Sequence, residues 1–359
     1  MGCRVSAAGV RAPPTLVAVS DFPDVRLHVV TGKGGTGKTT VAASLALALA
    51  SGGKRVLLTE VEGRQGIAQM FDTPPLPYEE RKVAVAPGGG EVYALSIDPE
   101  MAMLDYLHMF YKLSANGVAA RTLRRIGAIE FATTVAPGLR DVLLTGKVKE
   151  AVVRPAGGRG RARPSGYAYD AVVLDGPPTG RITRFLNISS EIGGLAKVGP
   201  LKTQSDGVME VLRSPQTAVH IVTLLEEMPV QETIDGAAEL AAAGLPVGGV
   251  VVNAVRPALL HPADLLAAEA GTLDRGALTA GLEKAGLDAP DELVGMLVAE
   301  AGDHAVRMAL EERGRDALAD LELPSYELPQ LSDSVDLAGL YELAALLSAQ
   351  GLAGAGEAA

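Results

Sequence analysis

The chain has 359 residues, and its 32 Lys and Arg against 43 Asp and Glu leave a formal net charge of −11. That balance disfavours nucleic acid and anionic lipid as generic partners, because non-specific affinity for both comes from excess cations. With 48% apolar and 21% charged residues, the chain can bury a large core and is not a disordered polyelectrolyte.

The first residues carry Arg4 and Arg11 but no uninterrupted apolar stretch, so a secretory signal is not read there. Residues 2–6 fit the short N-myristoylation pattern, yet a disordered leader over residues 1–24 is the reading adopted. Cys3 is the only cysteine, which rules out a disulfide framework, a CxxC zinc site and a thiolate-held iron–sulfur cluster within one chain. A cytoplasmic location is the matching expectation. No apolar run reaches the roughly 18–20 residues that span a bilayer, so no stable membrane anchor is expected.

Val25–Val30 is a Val-rich run, followed at once by Gly32-Lys33-Gly34-Gly35-Thr36-Gly37-Lys38-Thr39-Thr40 and then by strong helix formers to Ala50. This predicts strand, glycine loop, helix. Further strands are predicted at Arg55–Thr59, Val92–Ile97, Ala171–Asp175, Ala218–Leu224 and Gly248–Asn253. Most are continuous apolar runs, the mark of parallel strands covered on both faces. Helical stretches separate them, which makes a doubly wound, mostly parallel α/β sheet the expected fold.

Two stretches break the simple alternation. Residues 99–151 read as a helical subdomain inserted above the sheet. Residues 154–166, rich in Gly, Pro and Arg, read as a mobile loop whose arginines are solvated or touch a partner. A helical block over 261–320 and a last helix near 335–350 follow, and no Lys or Arg occurs beyond Arg315. That argues against a basic membrane-binding tail.

Residues 32–39 match G-x-x-x-x-G-K-[ST], where glycines let successive backbone N–H groups close around phosphates. In that pattern Lys38 reaches the β/γ-phosphates of ATP and the Thr39 hydroxyl reaches Mg²⁺, with Gly34, Gly35, Thr36, Gly37 and Thr40 lending backbone amides. Placement between a strand and a helix is the context this mechanism requires.

The extra lysine at Lys33 makes the loop resemble the deviant form found in dimerising P-loop ATPases. Within that group, residues 172–181 (Val-Val-Leu-Asp-Gly-Pro-Pro-Thr-Gly-Arg) resemble the second switch, D-T-A-P-T-G-H, of the arsenite-pump and tail-anchored-protein-targeting ATPases. Segments 137–141, 96–99, 227–233 and 251–253 resemble the family's P-G-h-x-E, I-D-P, P-E-x-x-x-x-E-T and V-V-N in the same order. The resemblance runs from about residue 25 to 255, with a weaker match near Pro329.

It implies one P-loop ATPase domain over 25–359 acting as a homodimer, or as a heterodimer with a paralogue, with ATP and Mg²⁺ as cofactors. Lys33 would cross the interface to the partner's phosphates, and Asp175 would organise Mg²⁺ through water. Asn253 and the Pro329 loop would cradle adenine. Departures are equally informative. Glu62 stands in register with the family's water-positioning aspartate, one methylene longer, and is either that residue or a surface acid of the switch loop. Thiolate binding of arsenite is ruled out by the single cysteine.

Met101, Met103 and Met109, with Leu104, Leu107, Phe110 and Tyr111, form a Met-rich helical stretch. It suits either an ordinary core or a groove for a hydrophobic protein client. A low-turnover regulatory subunit paired with a paralogous ATPase is the alternative function. The five histidines show no metal-ligand spacing and are read as structural.

Overall fold

A computed structural model describes residues 21–111, 137–157, 166–195, 200–331 and 335–353. Most of the expected leader, the centre of the Gly/Arg loop and the middle of the helical subdomain lie outside these. The strands are β1 (Leu27–Gly32), β2 (Arg55–Glu60), β3 (Arg81–Val85), β4 (Glu91–Ser96), β5 (Ala171–Asp175), β6 (Thr217–Thr223), β7 (Val247–Val255) and β8 (Ser325–Pro329). They form an eight-stranded sheet in the order β3-β4-β2-β5-β1-β6-β7-β8. Every pairing is parallel except β3 with β4. The doubly wound α/β reading therefore holds, and this is the fold of the P-loop nucleoside triphosphatases.

Helices α1 (Lys38–Ala50), α2 (Gly66–Met70) and α3 (Pro99–Tyr111) precede α4 (Pro137–Val153), α5 (Thr179–Leu195) and α6 (Pro200–Leu212). After them come α7 (Glu227–Ala242), α8 (Pro262–Glu269), α9 (Arg275–Lys284), α10 (Asp291–Ala319) and α11 (Leu337–Ala349). Neighbouring residues on the central strands serve opposite layers, because side chains alternate across a strand. Val30, Val56, Leu58, Val173 and Val222 pack beneath α1 and α11. Leu27, Val29, Leu57, Val172, Leu174 and Ile221 pack beneath α4, α5, α6 and α7. Both sets are apolar, so the strands read as unbroken hydrophobic runs. Helix α1 is buried almost all round, and its alanines let it sit between the sheet and α11.

The two edge strands escaped the sequence reading. β3 has no buried residue, and β8 is a five-residue alternation beside Pro324 and ending at Pro329; neither carries the apolar run that marked the others. The expected leader reached residue 24, but Asp21 donates its N–H to the Gly351 carbonyl at 2.8 Å and accepts from the Tyr326 hydroxyl. On α3, Ala102 and Leu104 are buried, with Met101 and Met103 packed on Leu104. The Met109, Phe110 and Tyr111 side chains lie outside the described set. No helix among the described residues is long and apolar enough to cross a membrane.

Under the glycine loop, His28 on β1 and His220 on β6 stack with ring centroids 5.3 Å apart, joined by a 3.0 Å bond from one ring nitrogen to the other. His220 Nδ1 accepts the Gly249 N–H at 3.2 Å, so its Nε2 carries the proton and donates to His28 Nδ1. Burial holds both rings neutral; it pushes His28 down to about 4 and His220 well below its ordinary value. The unfolded chain binds these protons from about pH 6.5 downward and the native chain does not, so stability falls as pH drops from 6.5 towards 4. We expect His28 alone to cost about 2 kcal/mol at pH 5. Urea unfolding at pH 7 and pH 5 should show, in the wild type, a loss larger than that, because His220 adds its own share, and about half of the pair's slope in His28→Leu. Equal slopes in the two proteins would refute it.

Candidate functional site

β1 is central because it pairs with β5 on one side and β6 on the other, which delivers the glycine loop to the middle of the sheet's carboxyl edge. Thr31 donates to the Pro177 carbonyl at 2.7 Å, tying the loop to the segment after β5. A Cβ on Gly32 would collide with the Val222 carbonyl, and one on Gly37 with the Asn253 amide. Gly37 sits at φ 86 as the N-cap of α1 and contributes no side-chain cap. The first N–H groups of α1 are thus left for a ligand, and the helix dipole favours an anion there. Gly34 and Gly35 are exposed, whereas Thr36 is buried and donates its hydroxyl to the Lys33 carbonyl at 2.9 Å.

Lys38 lies across this loop, with Nζ donating to the Lys33 carbonyl at 3.3 Å. Burial, the larger influence, draws its pKa down against the opposing pull of Asp175 and Glu62. Thr39 follows on α1 and donates its hydroxyl to Asp175 Oδ2 at 2.7 Å; Thr40 Oγ1 lies 3.7 Å from the Met70 sulfur. Asp175 ends β5, and burial pushes its carboxyl up to about 6 despite the Thr39 bond and nearby Lys38. A half-buried hydroxyl–carboxylate pair beside a lysine is a hard-oxygen donor set that fits Mg²⁺ with retained waters. A cation there would remove the desolvation strain on Asp175.

Two acids, Glu60 at the end of β2 and Glu62 just beyond it, differ sharply. Glu60 is buried, accepts from Ser96 Oγ at 2.9 Å and from the Gln65 N–H at 3.0 Å, and so folds the switch loop back. Glu62 reaches instead towards Arg64 at 3.5 Å and Arg181 at 3.4 Å. These three line a cleft of about 230 Å³ with Arg140 and Asp141. Arg181 stands where the resembled switch motif has histidine, and only the fold brings it to Glu62.

Lys33 does not face its own loop. Its Nζ forms a 2.9 Å ion pair with Glu232 on α7, both side chains about one-third exposed. Asn253 on β7 donates Nδ2 to the Thr36 carbonyl at 2.9 Å, which leaves Oδ1 as an acceptor over the loop. The strand is bent just there: Ala254 has φ 53 and the β7–β8 register shifts between Val252 and Val255. A left-handed alanine costs roughly 1–2 kcal/mol and persists only where the surroundings enforce it. Pro329 pairs opposite Val255 and is exposed at the end of β8. Lys38, Thr39, Asp175, Glu62 and Asn253 therefore gather at one end of the sheet, while Lys33 is turned towards α7.

The glycine loop opening a helix at a central strand, backed by Thr39 and Asp175, defines a P-loop nucleotide-binding protein. A family model described as anion-transporting ATPase matches residues 25–212. The chain is 55% identical to the ATPase BagA of Mycobacterium tuberculosis across 93% of this chain and 95% of that protein. It is 30% identical to the ATPase GET3 of Podospora anserina across 55% and 53% of the two chains. The chain belongs to the anion-transporting ATPase family.

Proposed function

We propose that the protein is a Mg²⁺-dependent ATP hydrolase of the arsenite-pump and tail-anchored-targeting type, in which nucleotide closes a dimer. The observation that carries this reading is the Thr39–Asp175 contact of 2.7 Å beside Lys38 at the uncapped start of α1. Lys38 and the amides from Gly34 to Thr40 bind the phosphates, and Asn253 Oδ1 accepts from the exocyclic amine of adenine. Guanine presents an oxygen at that place, so ATP is preferred over GTP. Thr39, with Asp175 behind it through water, would hold Mg²⁺, which would supply positive charge against the phosphates. Glu62 orients the attacking water once the nucleotide phosphates draw Arg64 and Arg181 away from it. Closure reshapes the helical layer around α3 and α4, coupling nucleotide state to a partner or hydrophobic client in the cytoplasm.

The grip of two arginines on Glu62 favours a second reading, a low-turnover regulatory subunit paired with a paralogue. Phosphate release by the purified chain separates the two: measurable turnover supports the hydrolase, and turnover only with a paralogue supports the subunit.

In the single chain Lys33 is clasped by Glu232, so reaching a partner's phosphates requires that pair to open. Lys33→Ala should keep ATP binding through Lys38, yet lose nucleotide-driven compaction and most hydrolysis. Small-angle scattering with and without a non-hydrolysable ATP analogue tests this. Equal compaction in wild type and variant would overturn the role in trans.

A further inference from the structure

The ends of β7 and β8 that carry Asn253 and Pro329 are each tied to α10 by charged side chains. Arg256, three residues after Asn253, donates Nη1 to Glu311 Oε1 on α10 at 2.9 Å. Glu311 is buried, with its side chain 4% exposed, and Arg315 Nη2 lies 3.9 Å from its other oxygen. Arg315 in turn grips Glu327 on β8, Nε to Oε1 at 2.7 Å and Nη2 to Oε2 at 3.4 Å, and also bonds Glu312 at 3.1 Å. Glu327 lies two residues before Pro329. Two separate ion pairs, Arg256–Glu311 and Arg315–Glu327, therefore tie the two strand ends to one turn of α10, with Glu311 Oε2 facing Arg315 beyond hydrogen-bond reach.

This link sits where the backbone needs support. Ala254 holds a left-handed conformation between Asn253 and Arg256, and that bend aims the Asn253 amide at the loop carbonyl. One backbone bond, Gln330 N–H to the Val255 carbonyl at 2.8 Å, spans the two strand ends. Below it, Leu318 of α10 is packed on Val250 and Val252. Beside it, α10 and α7 line a cleft of about 650 Å³, whose walls include Ile234, Leu310, Arg256 and Glu311. Apolar packing fixes the base of the bend, and the ion pairs fix its tip. The buried Glu311 carboxylate is hydrogen-bonded through Oε1 to Arg256, and removing its charge would leave that arginine unpaired and the end of β7 released from α10.

We propose that Glu311 and Arg315 are positioning residues for nucleotide-base selectivity, acting through the strand ends that carry Asn253 and Pro329. The inference rests on the adenine reading above. They touch no nucleotide; they keep the kinked strand end from relaxing and turning the Asn253 acceptor away. Loss of these pairs should weaken recognition of the base and leave recognition of phosphate alone.

The test uses calorimetry on the full chain with Mg²⁺ and three probes: non-hydrolysable ATP and GTP analogues, and inorganic tripolyphosphate. Glu311→Gln should weaken the ATP analogue about tenfold, the worth of one charge-assisted contact. The GTP analogue and tripolyphosphate should stay within about twofold of wild type. Arg315→Gln, at a partly exposed site, should act in the same direction, with Arg315→Lys restoring part of the loss. A general loosening of the fold would weaken tripolyphosphate as well, and that result would overturn the proposal. Asn253→Ala separates the two layers of inference. If it leaves ATP-over-GTP preference intact, the adenine reading fails; if it abolishes the preference while Glu311→Gln and Arg315→Gln do not, the positioning proposal fails.

Discussion

Lys38→Ala is expected to abolish ATP binding, with no heat of binding detected at concentrations about a hundredfold above the wild-type dissociation constant. The site places one half-buried ammonium against the loop, and partial burial already depresses its pKa. A triphosphate would supply the charge that makes this lysine favourable as a cation, and without Lys38 the amides of α1 face four negative charges alone. The fold should survive, because Lys38 Nζ makes one bond, to its own loop carbonyl at 3.3 Å. Isothermal titration with circular dichroism on the same sample decides it. Wild-type affinity in a folded Lys38→Ala protein would remove the phosphate-binding assignment altogether.

Glu62→Gln should separate binding from turnover. Among the described residues Glu62 forms its ion pairs with Arg64 and Arg181 and no hydrogen bond to the glycine loop, so ATP affinity should stay near wild type. Hydrolysis should fall about 10²-fold or more, the lower range for a general-base or water-positioning group. The ion pairs with Arg64 and Arg181 give the test a second edge. Those arginines are largely exposed, 72% and 64%, so the pairs are screened and contribute little stability. A lost rate therefore reports the chemistry and not a collapsed switch loop. Unchanged turnover would move the water-positioning role to Asp175 or outside the motif.

Much of this architecture was legible in the residues. The six strands expected from apolar runs are those buried on both faces, since only such strands need hydrophobic residues at every position. Helix α1 announced itself through the glycine loop before it, and Asp175 through its place at a strand end. β3 and β8 were not legible, because an edge strand satisfies its backbone by pairing and needs no continuous apolar pattern. The ends of elements shifted by a residue or two for the same reason: hydrogen bonding to neighbours, not local composition, decides where a strand stops.

For the site, the sequence by itself determined which chemistry is present: a glycine loop with two lysines, a hydroxyl after the second, a carboxylate at a strand end and an asparagine after an apolar run. Those identities are local, because backbone conformation and side-chain type are set within a few residues. Only the tertiary structure decided which of these groups meet. It gave Lys33 to Glu232, Glu62 to Arg181, Asn253 to the Thr36 carbonyl and Glu311 to Arg256. Each pair joins residues far apart along the chain, and their approach is fixed by sheet order and helix packing, which depend on the summed burial of the whole core and not on any single segment.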